Sequence, residues 1–451
     1  HPRPLVRTLG ATRRKPAVPQ APYIPLRTQR SLTAAPTKTK RVFYYYVDHT
    51  IGCPVNTGMQ RVTRGLARGL VDAGEDVVFV RWSPQTNALV RINREQLRHL
   101  CEWQGPIMSP QMTEAYLASD APDEPICEHD GAEGSWLVVP EVTHINFHGY
   151  APTLDILMAA KEAKLKTVFI FYDAIPLRCD EFSGMAPLHA HYMQHLLLAD
   201  FVVPISRWSA RDLVSFFIHY EKSALTAIPV VEPLLLPGET CLTEDRAKSP
   251  AVSQQIILSV GTIEWHKNQG VLLQAFEAFC SRHPEADWKL VLVGNLHPNM
   301  VTEVNSAIAR NKKIVYRGNI SDADLDELYR ACTFTVFPSK EEGFGLPIVE
   351  SLDYGKPCIC ANFGAMAEAA AGGGCLAVDV RDAGTIERAI ATLTGNLNEL
   401  SKLEREVVAR KSVTWSDYTK DFCTLMDRAT VPKNKIGKIF YWVDQTCVFP
   451  S

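Results

Sequence analysis

Short apolar runs alternate with longer amphipathic stretches along most of the chain. In the first half, strand-like runs alternate with helix-like ones, the strands at 76–80, 136–139, 167–172 and 201–204 and the helices at 62–72, 153–163, 188–198 and 208–217. Runs that are apolar throughout are typical of strands buried on both faces. The pattern therefore predicts a parallel sheet covered by helices.

The same alternation resumes after an interruption. Residues 233–253 are rich in Pro, Gly and charged residues, which indicates a linker. Beyond it we predict strands at 256–260, 289–293, 334–337 and 357–360 and helices at 269–280 and 322–331. Two successive α/β units predict two doubly wound domains that face a cleft. Because ligands bind outside the carboxyl ends of the strands in such sheets, the cleft is the predicted site.

Composition indicates an ordinary globular chain. It has 451 residues, of which 46% are hydrophobic and 22% charged, with a net charge of −3. No apolar run reaches about 18 residues, so we predict no membrane span, and the first residues lack the apolar core of a signal peptide. Twelve cysteines without zinc-type spacing indicate a reduced, cytosolic chain with structural thiols.

The two ends of the chain depart from this pattern. Residues 1–41 contain ten basic residues, seven prolines and no Asp or Glu. They predict a flexible linker, which an anionic membrane surface could attract. At the other end, Tyr441–Thr446 repeats the pattern of Tyr45–Thr50 at an offset of 396 residues. The repeat predicts one module of a longer polypeptide, with the first strand of the next module retained.

The most specific motif is Ser339-Lys340-Glu341-Glu342-Gly343-Phe344-Gly345-Leu346-Pro347-Ile348-Val349-Glu350. It joins a strand-like run to a helix-like one through a glycine turn. The unpaired N–H groups and the dipole at a helix start favour an anion there, which predicts a phosphate seat. Glu342 and Glu350 flank that seat and can accept hydrogen bonds from hydroxyls. The pattern suits a molecule with a sugar, phosphates and a ribose in a row. The alternative is a solvated acidic loop followed by an ordinary amphipathic helix.

This motif resembles the C-terminal half of the retaining nucleotide-sugar glycosyltransferases of family 4. The resemblance covers about residues 42–430 and implies the GT-B fold, in which two Rossmann-like, doubly wound parallel-sheet domains face a cleft and a C-terminal helix crosses back. We accordingly expect a basic Pro-rich linker at 1–41, an N-terminal acceptor domain at 42–235, a nucleotide-sugar donor domain at 236–412, a cross-over helix at 413–430, and a linker with the first strand of a following module at 431–451.

The resemblance also implies the donor contacts. Lys267 matches a family lysine that touches the donor diphosphate, whereas His266 and Thr262 stand where arginines are frequent. Gly318 and Asn319 match a loop that holds the nucleotide base, although a plain turn with Ser321 as helix cap is an equal alternative. The predicted donor-binding set is Gly58, Arg61, Gly261, His266, Lys267, Gly318, Asn319, Glu342, Gly343, Phe344, Gly345, Leu346 and Glu350.

In the first half, Asn56–Arg61 resembles the glycine loop that faces the donor phosphates in the family. The resemblance implies that Gly58 gives the phosphates access to the backbone. Arg61 either contacts the anion or is merely solvated. Phe171–Leu177 resembles the signature His-Asp-Leu-Ile-Pro-Leu, with Tyr172 in place of the histidine and the aspartate kept as Asp173. His148 resembles a histidine placed beside the transferred sugar, with His144 as a weaker competitor and a structural role as the alternative. The predicted catalytic set is Glu342, His148, Asp173 and Lys267.

The implied activity is that of a retaining hexosyltransferase that requires no cofactor or metal. By analogy with bacterial polymannose-type polymerases we prefer GDP-mannose as donor, with UDP- and dTDP-sugars as alternatives. The expected partners are a glycan or glycan-lipid acceptor and neighbouring modules of the same polypeptide, with no nucleic acid. The expected location is cytoplasmic, with peripheral inner-membrane contact. Two rivals stay open, a nucleotide-sugar epimerase of the same fold and a non-catalytic module that binds glycan or organises an assembly.

Overall fold

The computed structural model describes residues 41–109, 112–114, 125–126, 134–144, 153–220, 228–238 and 255–428. All of these residues lie in one compact unit, Lys40–Ser451. Three predictions fall outside the described residues: the basic N-terminal linker, the candidate histidine His148, and the repeated strand near residue 441.

Seven strands form the first sheet, in the order β3-β2-β1-β4-β5-β6-β7: β1 (Val42–Tyr46), β2 (Asp76–Ser83), β3 (Ala88–Arg91), β4 (Trp136–Val139), β5 (Lys166–Phe171), β6 (Phe201–Pro204) and β7 (Val230–Val231). All neighbouring pairs are parallel except β2 with β3. Every residue of β4 and β6 is buried, as expected for strands covered on both faces.

The helices of this half are α1 (Gly58–Asp72), α2 (Arg94–Cys101), α3 (Thr153–Glu162), α4 (Ile175–Arg178), α5 (Ala186–His195) and α6 (Arg207–Tyr220). In the sheet β1, β4 and β5 are neighbours. The loops that follow these three strands therefore meet at one edge of the sheet.

Six parallel strands form the second sheet, in the order β10-β9-β8-β11-β12-β13: β8 (Ile256–Val260), β9 (Lys289–Val293), β10 (Ile314–Tyr316), β11 (Phe334–Phe337), β12 (Cys358–Ala361) and β13 (Cys375–Val378). Its helices are α7 (Gln269–Arg282), α8 (Val301–Arg310), α9 (Asp322–Ala331), α10 (Leu346–Asp353), α11 (Gly364–Ala370), α12 (Ala383–Gly395) and α13 (Leu397–Ala409). The predicted arrangement of two doubly wound α/β domains is confirmed.

A last helix, α14 (Trp415–Arg428), returns to the first half and packs on α1. The approach is close, because a Cβ atom on Gly65 would lie 2.3 Å from the Trp415 ring and one on Gly69 would lie 1.9 Å from Thr419 Oγ1. Glycine at these two positions lets the helix backbones come together.

The two halves also meet through polar contacts away from α14. The Glu368 carboxylate of α11 accepts hydrogen bonds from the backbone N–H groups of Arg207 (2.9 Å) and Trp208 (3.1 Å) at the start of α6. A carboxylate at a helix N-terminus pairs with unsatisfied N–H groups and with the helix dipole. In addition, the Arg178 guanidinium contacts Asp212 (2.7 Å) in its own half and Glu341 (3.3 Å) in the other.

Candidate active site

A cleft of about 410 Å³ lies between the carboxyl ends of the two sheets. Residues of both halves line it. The predicted site residues among them are Gly58, Arg61, Asp173, Gly261, Lys267, Asn319, Glu342, Gly343, Phe344, Gly345, Leu346 and Glu350. Residues up to 292 positions apart in the chain, from Gly58 to Glu350, thus face one space (350 − 58 = 292).

An ion pair joins two of the predicted residues inside the cleft. The Lys267 ammonium lies 2.7 Å from Glu342 Oε1 and 2.8 Å from Oε2. The Glu342 side chain is only 11% exposed and that of Lys267 20%. A partly buried pair with this geometry holds both side chains in fixed positions, so a cation and a carboxylate are presented together to any ligand.

The position of Lys267 follows from the turn that precedes α7. Residues Trp265–Lys267 form one 3₁₀ turn, and Asn268 then adopts a left-handed conformation with φ +64°. Its side-chain N–H₂ donates to the carbonyls of Pro338 (3.1 Å) and Val380 (2.8 Å). Because asparagine tolerates this conformation and is bonded on both sides, it fixes the end of the turn from which Lys267 points into the cleft.

The turn before α10 needs glycine at two positions, for two different reasons. Gly345 is the N-cap of α10 and has φ +102°, a region that favours glycine. Gly343 has another reason, because a Cβ atom there would lie 2.4 Å from the carbonyl oxygen of Tyr172. The hydroxyls of Ser206 and Ser209 lie 2.6 and 2.9 Å from the Gly343 carbonyl oxygen. The turn that follows Glu342 is therefore packed against the first half of the molecule.

The second carboxylate of the motif, Glu350, is 4% exposed and bonded from both halves. Arg61 Nη1 lies 2.5 Å from its Oε1, and the Tyr329 hydroxyl donates to its Oε2 at 3.1 Å. The Tyr329 ring stacks on Tyr354 with centroids 4.7 Å apart, and the Tyr354 hydroxyl donates to Asp326 at 2.8 Å. This series of contacts holds the carboxylate at the cleft wall, about one turn into α10.

On the opposite wall Asp173 follows β5. Its Oδ1 accepts the backbone N–H of Ile175 at 3.0 Å, which starts the short helix α4. Burial and, to a smaller extent, the nearby Glu342 carboxylate raise the pKa of this carboxyl to about 6, against the lowering effects of the Ile175 N–H and the Lys267 charge. Asp173 thus changes charge close to neutral pH.

Comparison with known proteins finds similarity to glycosyltransferases in part of the chain. The model of the family "Glycosyl transferases group 1" matches residues 243–407. The serotype-specific mannosyltransferase WbdA of Escherichia coli is 24% identical over 243 residues, which cover 51% of this chain and 30% of WbdA. The O-antigen chain mannosyltransferase B of Escherichia coli is 26% identical over 267 residues, covering 56% of this chain and 68% of that protein.

The solved structures include the UDP-forming α,α-trehalose-phosphate synthase of Burkholderia vietnamiensis. It superposes with a TM-score of 0.59 at 13% identity, covering 86% of this chain and 99% of that one, which shows the fold. Fold and family match together support a GT-B glycosyltransferase. The chain spans about 30% of the length of WbdA.

Three of the predicted site residues are not among those that line the cleft. His148 lies outside the described residues. Gly318, with φ +66°, directly precedes the lining residue Asn319. His266 is 5% exposed and packs edge-on against the Phe182 ring at 5.2 Å. Burial lowers the pKa of His266 to about 3, helped by the charges of Lys267 and Lys340, so its ring is neutral near pH 7. The donor contact expected of His266 stays a prediction.

Several polar residues around the site were not predicted. Tyr329, which supports Glu350, lies in a helix whose sequence carries no motif. Glu141, after β4, accepts the backbone N–H groups of His49 and Thr50, each at 2.7 Å. Its burial outweighs those hydrogen bonds and raises its pKa to about 8. The only signal in the sequence was an acidic residue directly after a buried strand.

The helix-like stretch at 188–198 contains three histidines, His189, His191 and His195, and the structure gives them different surroundings. His191 and His195 stack with ring centroids 4.9 Å apart, and within the described ranges no set of three His, Cys, Asp or Glu side chains is arranged to hold a metal. His189 instead turns inward and is 4% exposed. None of the helices that the structure describes combines the length and hydropathy needed to cross a membrane.

Proposed function

We propose that this chain is a retaining hexosyltransferase that transfers mannose from GDP-mannose to a growing bacterial surface glycan. One observation carries the proposal: the Lys267–Glu342 pair and Glu350 face Gly58 and Arg61 across a single cleft. That cleft offers two cations, Lys267 and Arg61, the two carboxylates of the motif and a helix start, in the order that a diphospho-sugar would need. The names of WbdA and of the O-antigen chain mannosyltransferase B favour mannose and a surface glycan.

In the proposed complex the diphosphate lies at the start of α10. Lys267 neutralises it, and Glu342 accepts hydrogen bonds from hydroxyls of the transferred sugar. Glu350 holds the ribose. Arg61, which pairs with Glu350 in this structure, is close enough to the same end of the cleft to meet the diphosphate. The proposed seat of the base is the loop that contains Asn319, together with Asn295 of a neighbouring loop, to which Asn319 is hydrogen-bonded.

The proposed reaction keeps the anomeric configuration. The bond between the sugar C1 and the diphosphate oxygen breaks through an oxocarbenium-like state. The acceptor hydroxyl forms its bond to C1 on the same face, and its proton passes to the departing diphosphate. Atoms and charge balance without a further reactant. Positioning and electrostatic stabilisation of the leaving group by Lys267 and the α10 start supply most of the rate enhancement.

The remaining parts of the proposal concern the metal requirement, the cellular location and the neighbouring modules. We take the enzyme to be independent of a divalent metal, to act in the cytoplasm with peripheral contact to the inner membrane, and to work beside further modules of the same polypeptide. WbdA is more than three times as long as the segment it shares with this chain, which is compatible with such modules.

A panel of nucleotide sugars tests the proposal. The protein is incubated with GDP-mannose, UDP-glucose, UDP-galactose and dTDP-glucose, with and without octyl α-D-mannopyranoside, in the presence and absence of EDTA. Of the four donors, we expect only GDP-mannose to give an α-linked disaccharide product with octyl α-D-mannopyranoside. EDTA should leave the rate of this transfer nearly unchanged. A β-linked product would contradict retention, and loss of activity in EDTA would contradict metal independence.

The same panel separates the rivals. An epimerase would convert a free nucleotide sugar into its isomer without any acceptor, and NMR of the donor pool would reveal it. A non-catalytic module would give neither transfer nor isomerisation. The paired Lys267 and Glu342 favour an enzyme that uses a diphospho-sugar over the non-catalytic module, because a carboxylate and a cation held against each other serve a diphospho-sugar better than a glycan alone.

A further inference from the structure

A second cavity, of about 160 Å³, adjoins the donor cleft where the two halves of the molecule meet. Residues of α1, α9, α10 and α14 line it, together with the loop after α2. Arg61 and Glu350 line both spaces, so their ion pair lies in the wall that the cleft and the cavity share. Lys267, Glu342 and the glycine turn do not line the second cavity. It therefore lies outside the proposed diphosphate seat.

The most deeply buried charge at this cavity is the guanidinium of Arg64, which is 1% exposed. It donates to three neutral oxygens: Asn56 Oδ1 at 2.9 Å, the Leu100 carbonyl at 3.3 Å and the His99 carbonyl at 3.4 Å. Among the described residues, no carboxylate forms an ion pair with it. Because a guanidinium carries five N–H groups, two donors and a full positive charge are left without a partner in the part of the chain that the structure describes.

Burying a cation in this way is unfavourable, because a charge taken out of water needs an opposite charge beside it. Burial lowers the pKa of Arg64 from its ordinary value, and the longer-range attraction of the Glu102 and Glu141 carboxylates offsets this effect only in part. An arginine side chain nevertheless stays protonated in a protein. The wall of the cavity therefore holds a permanent positive charge that the surrounding protein does not neutralise, and this favours an anion in the cavity.

The loop after α2 has a strained backbone where it forms this wall. Trp103 has φ +46° and Gln104 has φ +61°, a region that side chains of this size rarely adopt. The Trp103 ring lies over the Arg64 guanidinium, with its centroid 4.7 Å from Cζ. The buried Oε1 atom of Gln104 has no hydrogen-bond partner among the described residues. Strained residues persist where their surroundings hold them, and they concentrate at ligand sites. The loop thus supports a binding site independently of the charge of Arg64.

We propose that this cavity binds a free oxyanion of the size of phosphate, held by the Arg64 guanidinium and the side-chain N–H₂ of Asn56, with Arg61 as the second cation of the wall. The volume sets the size, because a cavity of about 150 Å³ accepts a molecule as large as benzene. The charge of Glu350 is already paired with Arg61, whereas Asp322 lies exposed at the rim and opposes the anion.

This site is separate from the proposed reaction and does not depend on the identity of the donor. Because residues of both halves line the cavity, an anion that binds there stabilises the folded arrangement of the two halves. Its binding can therefore be measured without turnover.

Calorimetry with inorganic phosphate tests the site. Phosphate is titrated into the protein with and without saturating GDP, and KCl of the same ionic strength serves as the blank. We expect one equivalent of phosphate to bind under both conditions, because Arg64 lies behind the Arg61–Glu350 pair. Binding that GDP abolishes would place the anion in the donor cleft and overturn the proposal, and so would a signal no larger than that of KCl.

Glucose 6-phosphate distinguishes a free oxyanion from a phosphate carried by a sugar. We expect it to bind at least about 10-fold more weakly than inorganic phosphate, because a hexose exceeds the space that the cavity offers. Equal or tighter binding of the sugar phosphate would contradict the assignment to a free oxyanion.

The sharpest variant is Asn56→Asp, which replaces the neutral oxygen on Arg64 by a carboxylate of nearly the same shape. The substitution supplies the missing negative charge from within the protein. We expect phosphate affinity to fall about 10-fold or more, and the urea midpoint without phosphate to rise above that of the wild type. Asn305→Asp makes the same charge change at an exposed position of α8 and should alter neither quantity. Unchanged phosphate affinity in Asn56→Asp would remove the role of Arg64.

A second variant, Asp322→Asn, acts in the opposite direction and leaves the buried residues untouched, so it tests the site even if Asn56→Asp does not fold. Removing a negative charge from the rim should tighten phosphate binding about 2- to 3-fold at low salt, and high salt should remove the difference. The matched control is Glu327→Gln, an exposed carboxylate of the same helix that does not line the cavity. Equal phosphate affinity in the two variants would place the anion elsewhere and contradict the proposal.

Discussion

The two walls of the cleft differ in how they handle charge. On the second half, charged side chains lie in ion pairs: Lys267 with Glu342, and Glu350 with Arg61 of the first half. On the first half, burial dominates. It lowers the pKa of His144 to about 4 and raises that of Asp173 to about 6. The second half therefore contributes paired charges to the cleft. In the first half, the Asp173 carboxyl at the cleft titrates near pH 6, and the buried His144, which is not among the lining residues, is neutral near pH 7.

The difference matches the two substrates of the proposed reaction. A diphosphate needs opposite charge that is already in place, because reorganising charges during the reaction would add to the barrier. An uncharged sugar hydroxyl needs well-oriented hydrogen-bonding atoms and gains little from a full charge. Removing a charged side chain of the second half should accordingly have a large effect, and the experiments below run from the largest expected effect to the smallest.

The largest effect is expected for Glu342→Ala. The carboxylate positions both Lys267 and, in the proposed complex, the transferred sugar. We expect kcat to fall about 10²- to 10³-fold, in the range seen when one preorganised group is lost from an active site. Thermal unfolding should show an intact fold. The control is Glu341→Ala, in the adjacent residue, whose carboxylate turns to Arg178 instead. A kcat near wild type in Glu342→Ala would remove the assigned role.

The next largest effect is expected for Lys267→Ala, which should weaken the binding of GDP. Loss of a charge-assisted contact to the diphosphate predicts GDP affinity lower by about 10- to 100-fold, measured by calorimetry. Lys289→Ala, at an exposed position at the start of β9, is the control. The double variant with Glu342→Ala should lose less than the sum of the two single changes, because the residues are in contact. Strict additivity, or unaltered affinity in Lys267→Ala, would count against the paired arrangement.

The sequence predicted the second wall more completely than the first for a physical reason. Glu342, the glycine turn and Glu350 lie within nine residues, so a strand, a turn and a helix place them together without help from distant parts of the chain. The apolar strands around them, Ile256–Val260 and Phe334–Phe337, were also predicted at the bounds observed. Continuous apolar runs between helices leave little choice of structure.

The first wall depends on contacts that no local pattern encodes. His144 and His189 are 45 positions apart and meet because β4 and β5 are neighbours in the sheet. The sequence offered His189 only as one of three histidines on a helix, and its burial depends on how α5 packs. Edge strands β3, β7 and β13 were not predicted either, because they are short and only partly buried. Domain boundaries and residue roles stay predictions.

The pH dependence of stability separates the groups of the first wall. The pKa of His144 and of His189 is lowered by burial, so the unfolded chain binds more protons and stability rises with pH between about 4 and 6.5. The pKa of Asp173 is raised to about 6, so the folded chain binds more protons and stability falls between about 4 and 6. The two contributions oppose each other.

Asp173→Asn should therefore make stability climb more steeply with pH than in the wild type. Urea unfolding at pH 4.5, 5.5 and 6.5 measures the slope, and Asp287→Asn, at an exposed aspartate, is the control. Parallel curves for wild type and Asp173→Asn would mean that this carboxyl titrates as in the unfolded chain, and the first wall would then be more polar than its burial indicates.

The smallest effect is expected for Tyr329→Phe, which removes one hydroxyl and leaves the ring stacked on Tyr354. Glu350 would lose the hydrogen bond to its Oε2 but keep Arg61 on Oε1. We expect GDP affinity to fall about 3- to 10-fold, the value of one ordinary hydrogen bond. The matched control is Tyr354→Phe, which removes the other hydroxyl of the same ring pair, bonded to Asp326.

Each variant removes one tyrosine hydroxyl, but only Tyr329→Phe removes a hydrogen bond to Glu350. If only Tyr329→Phe weakens GDP binding, the hydroxyl acts by holding the Glu350 carboxylate in place. If both weaken it equally, the ring pair contributes through the stability of α9 and α10 instead. In that case the second half would depend on packing as much as the first half does, and the contrast between the two halves would be smaller than the ion pairs suggest.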